Sequence, residues 1–329
     1  LDASVHPDPR AAQALPPGRI GRRALLAGGV ALSAAPVIAQ ALRTVRFIIP
    51  SFGMTMIPTL TASALGMDRA AGMEFTFGQA PGSIGIRAMI AGEYDFSLSA
   101  GAAVTAAVQG APVRVIAVHI AKSFYYMYGR AGVRGLDDLA GRTIGIGAVG
   151  DSTDIAARNA IRAAGGDPTR ATYVAMGIDN VPQALIAGSI EAGVITPPRD
   201  LIVEKAGGFR QLGFLGDHLP TPTSGVATTR QVIEREPDLV RQVLRVVMRG
   251  QAAFTGDRAT GEAMLARWLR MDAADSAIAW ERAVPHFNAQ GGLSDDVQAT
   301  IIESQRGAIR VRQQREVNPV FDLRFLPAA

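Results

Sequence analysis

The chain contains no cysteine, two lysines against 31 arginines, two tryptophans and four histidines. Without a thiol there is no disulfide, no cysteine metal site, no thiol nucleophile and no cysteine to carry a lipid anchor, a composition compatible with an oxidising compartment. The few histidines form no pair at metal-ligand spacing, no GxSxG elbow occurs, and no paired acids stand out. Long apolar runs are scarce as well: the uncharged stretch over 24–40 is too short, and too rich in glycine and alanine, to read as a membrane span. What remains is a chain of 329 residues, 48% hydrophobic and 19% charged, long enough for two domains and a sizeable core.

The N-terminal residues have the three parts of an export signal. Arg10, Arg19, Arg22 and Arg23 precede the uncharged run, and Ala39 and Ala41 form an AxA cleavage arrangement. Residues 1–41 are therefore expected to be an export signal. The Arg22-Arg23 pair followed by Leu25 and Leu26 fits twin-arginine export, general secretion would use the same features, and both routes end in the periplasm. Removal takes away four Arg and two Asp, so the charge falls from +4 to 29 − 27, or +2. Arginines spread in ones and twos with so small an excess make no nucleic-acid footprint. A freely soluble monomer without cofactor or metal is expected.

The segment GRTIGIGAVGDSTDIAARNAIRAA, 141–164, holds the clearest strand, turn and helix. Residues 143–146 form a short strand, Gly145, Gly147 and Gly150 supply the turn, and Ile155, Ala157, Ala160, Ile161 and Ala164 fall largely on one face at helical spacing. The helix start points free N–H groups at the turn, a place that attracts anions. The same glycines spell GxGxxG. A dinucleotide site also wants an acid about 20 residues on, at the end of the next strand, and the strand over 172–176 ends without one. The preferred reading is a turn that cradles a small anionic ligand.

Strands are expected over 43–50, 73–77, 94–98 and 113–119, alternating with helices, the first of them over 57–70. The alternation argues a mostly parallel, doubly wound sheet whose ligands sit beyond the carboxyl ends of the strands. Phe52 with Gly53, Ser99 with Gly101, and His119 lie at such ends. The aromatic run FYYMY, 124–128, reads as a crossing strand into a second unit with strands over 143–146, 172–176 and 192–196. SGVATT, 224–229, reads as a second crossing. Helices dominate from there on, Trp268 and Trp280 among them as packing residues, and the basic run over 306–315 reads as a solvated helix face.

Four blocks, AGEYDFSLSAG at 91–101, VRGLDDLAGRTIGIG at 133–147, ITPPRDLIVEKAGGFRQLG at 195–213 and TTRQVIEREPDLVRQVL at 228–244, resemble the periplasmic substrate-binding proteins of ABC transporters. The resemblance is to the nitrate, taurine and aliphatic-sulfonate branch, which also includes binders of thiamine precursors. It implies a type II periplasmic-binding-protein fold of class α/β: lobe 1 over 42–125 and 228–329, lobe 2 over 126–227. It also implies capture of a small anionic or zwitterionic ligand by hinge closure and delivery to a membrane permease. On that resemblance Gly150, Ser152 and Thr153 contact an acid group from lobe 2, with Ser99 and Gly101 opposite. Phe52, Gly53, His119 and Tyr125 shape the cleft, and Thr196 and Arg199 flank it. A lone histidine after an apolar strand also suits a structural role, and Tyr125 and Tyr126 alternate, so one of them at most faces the cleft. Arg199 has Asp200 and Glu204 as candidate ion-pair partners. Asp151 would repel an acid unless turned to solvent; turned inward, it favours a zwitterionic or cationic ligand such as a pyrimidine.

The rivals are enzymes on the same scaffold and a ligand sensor that serves no permease. Thiamine-pyrimidine synthases carry a cysteine-rich metal motif that zero Cys excludes, and a nicotinamide enzyme would rest on the GxGxxG pattern alone.

Overall fold

The computed structural model describes residues 41–218, 222–309 and 319–327; the segment read as an export signal lies, apart from Ala41, outside the described residues. Two five-stranded sheets organise the rest. The first is built from β1 (Arg43–Ile49), β2 (Met73–Gln79), β3 (Phe96–Ser97), β4 (Val113–Ile120) and β10 (Ser224–Thr229), in the order β2-β1-β3-β10-β4. The second contains β5 (Tyr126–Arg130), β6 (Thr143–Ile146), β7 (Thr172–Ala175), β8 (Ala192–Ile195) and β9 (Phe209–Phe214), in the order β7-β6-β8-β5-β9. In each sheet one strand runs antiparallel to its neighbours, and it occupies the same place. β10 lies antiparallel between β3 and β4, and β5 lies antiparallel between β8 and β9. These are the strands by which the chain arrives from the other sheet, so the topology is one pattern used twice.

Helices cover both faces. In the first half these are α1 (Ile57–Ala64), α2 (Met67–Ala70), α3 (Gly82–Ile90) and α4 (Ala100–Val108). The second half contributes α5 (Ser152–Ala163), α6 (Val181–Ala187) and α7 (Asp200–Ala206). The remainder is helical: α8 (Arg230–Arg235), α9 (Pro237–Gly256), α10 (Arg258–Leu269), α11 (Ala273–Ala283) and α12 (Asp295–Ile309). The helix expected over 57–70 is broken at Gly66, whose φ of 68° lies in the left-handed region that glycine enters at no steric cost. β9, an edge strand with no fully buried position, was not expected.

Side-chain alternation sets what each sheet buries. Val45, Phe47 and Ile49 of β1 turn to one face and join the buried stripe of α9 (Val240, Val243, Leu244, Val247, Phe254) in the largest core. Ile48 turns the other way, against α3. In the second sheet Ile144 and Ile146 pack under α5, while the opposite face is covered by Val181 and Leu185 of α6. There Gly145 and Gly193 are register partners on adjacent strands, and a Cβ on either would come within 3.2 Å or less of Val181. Their bare backbone lets α6 settle on the sheet. Gly145, expected in a ligand-binding turn, is thus a packing residue inside β6.

Two chain segments join the halves and lie side by side. The Thr223 Oγ1 hydroxyl donates to the Lys122 carbonyl at 2.9 Å and accepts from the Phe124 N–H at 2.7 Å. A separate bridge links α7 to α11: Arg282 reaches Asp200 at 3.0 Å and Glu204 at 3.3 Å, and Lys205 reaches Asp275 at 2.7 Å.

Candidate functional site

A cavity of about 400 Å³ lies between the two sheets, at the carboxyl ends of their parallel strands. Equivalent strands supply its walls. From the first sheet come Ser51 and Thr55 after β1, Gln79 to Gly82 after β2, and Ser99 with Gly101 after β3. From the second come Gly147 and Asp151 to Thr153 after β6, Gly177 to Asn180 after β7, and Thr196 after β8. Tyr125 and Thr223, from the joining segments, close it at the side. The volume suits a small organic molecule.

Of the residues singled out in the sequence, Ser99, Gly101, Tyr125, Ser152, Thr153 and Thr196 line this cavity. Tyr125 shares a 2.7 Å hydrogen bond with Ser152 Oγ, and burial pushes its phenol pKa well up, so it stays a neutral hydroxyl. As alternation requires, Tyr126 turns away and packs on Phe214. Gly101 is where the halves touch: a Cβ there would lie 2.7 Å from Ser152 Cβ and 2.8 Å from the Pro222 carbonyl oxygen.

The other five stand elsewhere. Phe52 stacks on Trp268 of α10, ring centroids 6.0 Å apart and planes 5° from parallel, and with Arg199 it borders a different hollow. Gly53 sits beside Ser51 and Arg199. Arg199 pairs with Asp179 at 2.7 Å, a partner not foreseen, because Asp200 and Glu204 are taken by Arg282. His119 is wholly buried and faces α9. Its Nδ1 lies 2.6 Å from Gln251 Oε1; the Gln251 amide nitrogen donates to the Asn288 carbonyl, which leaves Oε1 as acceptor and assigns the proton to Nδ1. Burial holds the imidazole pKa down at about 4, so the residue is a neutral structural histidine. Gly150 has the positive φ, 77°, that a turn demands, but its N–H donates to Asp154 Oδ2 at 2.9 Å.

That last bond is part of a wider pattern. The start of α5, expected to hold the acid group of a ligand, is occupied by the protein's own carboxylates. Asp151 caps the helix: its Oδ1 accepts from the Thr153 N–H at 2.8 Å, the Asp154 N–H at 3.1 Å and the Thr153 hydroxyl at 2.5 Å. The Gly147 N–H in turn donates to Thr153 Oγ1 at 2.9 Å. Desolvation raises the Asp151 pKa, against the pull of these hydrogen bonds. Other helix starts at the cavity are uncapped, that of α6 after Asn180 among them. α3 and α4 enter the cavity with Pro81 and Ser99 at their N-cap positions, and neither helix start accepts a side-chain cap. Open helix starts carry a partial positive charge worth about 0.3–1 kcal/mol to an anion, and up to about 2 when partly buried.

Sequence reasoning missed Gln79 to Gly82 and Gly177 to Asn180, loops without a motif. Topology could have found them, because they follow β2 and β7 as Ser51 follows β1.

Two doubly wound halves of matching strand order, joined by paired crossing segments over a shared cleft, define the periplasmic binding protein fold. Residues 54–258 match the family model described as NMT1/THI5 like, and the chain belongs to that family. Among solved structures it is similar to the periplasmic aliphatic sulphonate binding protein SsuA from Escherichia coli, with 18% identity, a TM-score of 0.66, and 86% of this chain and 91% of that one covered. It is likewise similar to the alkanesulfonate-binding protein SsuA from Xanthomonas axonopodis pv. citri, bound to MOPS, with 18% identity, a TM-score of 0.67 and coverage of 84% and 95%. The desulfurization enzyme DSZB has the fold too, at 15% identity, a TM-score of 0.60 and coverage of 86% and 97%. A search of curated proteins finds no match. Among the described residues no helix is long and apolar enough to cross a membrane.

Proposed function

We propose that this chain is the exported solute-binding component of an ABC importer. It works in the periplasm as a monomer and delivers a small anionic or zwitterionic organic ligand, of the sulfonate, taurine, nitrate or carboxylate kind, to a permease in the inner membrane. The observation that carries the reading is the cavity itself, furnished by equivalent loops of two halves that meet at Gly101 and Ser152. A ligand there touches the lobes built on the first and the second sheet together, so the closed form has contacts that an open form lacks. That differential affinity drives closure about the paired crossing segments.

Ser99 and Gly101, at the open start of α4, receive the acid group. Ser152, Thr153, Tyr125 and Thr196 offer hydroxyls from the facing wall. We take the protein to perform no chemistry: among the described residues the cavity lining has no lysine, arginine, histidine or cysteine, and its two carboxylates are engaged, Asp151 by the start of α5 and Asp179 by Arg199. The kinship of fold with DSZB makes the enzymatic alternative worth a direct test.

A thermal-shift screen of sulfonates, amino acids, carboxylates, nitrate and pyrimidines should raise the melting temperature with at least one class. Small-angle scattering with that ligand should show contraction. No shift across the panel would refute the reading, and a converted product would replace a carrier by a catalyst.

A further inference from the structure

The charged side chains that line the cavity are Asp151 and Asp179, an odd furnishing for a site that takes a simple anion. Asp179 is compensated by Arg199 at 2.7 Å. Asp151 is not: among the described residues no lysine, arginine or histidine forms an ion pair with it. Neutral dipoles alone surround it: the N–H groups of Thr153 and Asp154 and the Thr153 hydroxyl on Oδ1, and the backbone N–H of Ala148 beside the carboxylate. Oδ2 lies over Gly147, where a Cβ would come within 2.6 Å of it, and accepts no side-chain hydrogen bond. A half-buried carboxylate with nothing of opposite charge beside it is costly, and a second negative group in the same cavity would add to that cost. A cationic or hydrogen-donating group would relieve it.

Resting on the reading of the cavity as a solute-binding cleft, we propose that Asp151 is its specificity determinant. Asp151 accepts a hydrogen bond from an amino or ammonium nitrogen of the ligand, so the solute carried is an amino-bearing zwitterion or base and not a simple anion. The two walls then orient the guest: its nitrogen faces the capped start of α5, and any acid group faces the uncapped starts of α3 and α4.

The test uses matched probes that differ by the nitrogen: taurine against ethanesulfonate, β-alanine against propionate, and 4-amino-2-methylpyrimidine against 2-methylpyrimidine, with nitrate added. Each is titrated calorimetrically into the wild type, Asp151→Asn and Asp151→Ser. Asn and Ser both make good helix caps, so α5 keeps its start, which circular dichroism verifies. An amino-bearing probe should bind the wild type about tenfold or more tightly than its partner, the scale set by leaving a buried acceptor unpaired. Both variants should lose that preference. Equal or tighter binding of the partner lacking nitrogen overturns the proposal while leaving a solute-binding protein. So does an amino-bearing probe that the variants hold as well as the wild type, and so does binding confined to nitrate. Failure of every probe would overturn the solute-binding reading and this inference with it. The mass of a ligand retained through native purification gives an independent check, and a composition without nitrogen would also overturn the proposal.

Discussion

The two halves of the molecule repeat one strand order, with the odd antiparallel strand in the same slot, yet the faces they turn to the cavity differ in polarity. The starts of α3 and α4 in the first and of α6 in the second lack side-chain caps, whereas the start of α5, which follows β6 as Met54–Met56 follows β1, is filled by Asp151. On the proposed reading, backbone topology would fix where the ligand sits and Asp151 would set the charge it meets there.

The contrast extends to buried titratable groups. The first half buries a histidine kept neutral, and the second a carboxylate whose ionisation burial disfavours. Their effects on stability run in opposite directions. His119 takes up its proton at about 4 in the folded chain and at 6.5 when unfolded. Between those values the unfolded state binds more protons, so stability falls on acidification through this window, by about 3 kcal/mol if fully expressed. Burial raises the Asp151 pKa above the ordinary carboxylate value, so the folded state binds the extra proton above that value, and its contribution grows as pH falls.

Urea unfolding between pH 7 and pH 4 separates the two. His119→Asn, whose amide nitrogen can take the place of Nδ1 opposite Gln251, should flatten the acid loss of stability; an unchanged slope would show that other groups govern it. Asp151→Asn should steepen that loss.

A smaller effect is expected where the halves touch. Gly101→Ala forces Ser152 or the Pro222 carbonyl to move, at an overpacking cost of about 1–3 kcal/mol, and should raise the radius of gyration in scattering. An unaltered profile and melting temperature would mean that α4 and α5 are free to part.

Next comes the bridge between α7 and α11. Arg282→Ala strips the Asp200 carboxylate, whose side chain is 2% exposed, of its cation. Because Arg282 is 41% exposed, solvent screening limits the loss to about 1 kcal/mol, and adding Asp200→Asn should restore most of it. Failure of that second change to rescue would mean that Arg282 acts through Glu204. Least of all, Lys205→Ala should lower the melting temperature only slightly and its effect should vanish in high salt, since the pair with Asp275 lies at the surface.

Much of this could be read from the chain because buried strands and amphipathic helices write their period into the sequence. β6 matches the strand read over 143–146 residue for residue, while SGVATT, read as a crossing, is β10 inside the first sheet. β9 escaped because an edge strand with exposed positions has no such pattern. The site was half legible. Rules about strand ends led to the correct loops but say nothing about where a side chain turns, so His119 proved to face α9 and Phe52 to face Trp268. Likewise the glycine-rich turn announced a helix start, while its neighbour Asp151 had already claimed the donors there.

One consequence follows from the place of β10. It is the slat between β3 and β4, and it is made only after the whole of the second half has been synthesised. A nascent chain halted before Ser224 would therefore hold one finished sheet and one split down the middle, with two raw edges able to zip onto a stranger. The half that begins first is completed last, and a chain in transit would need shielding at that seam until residue 229 arrives.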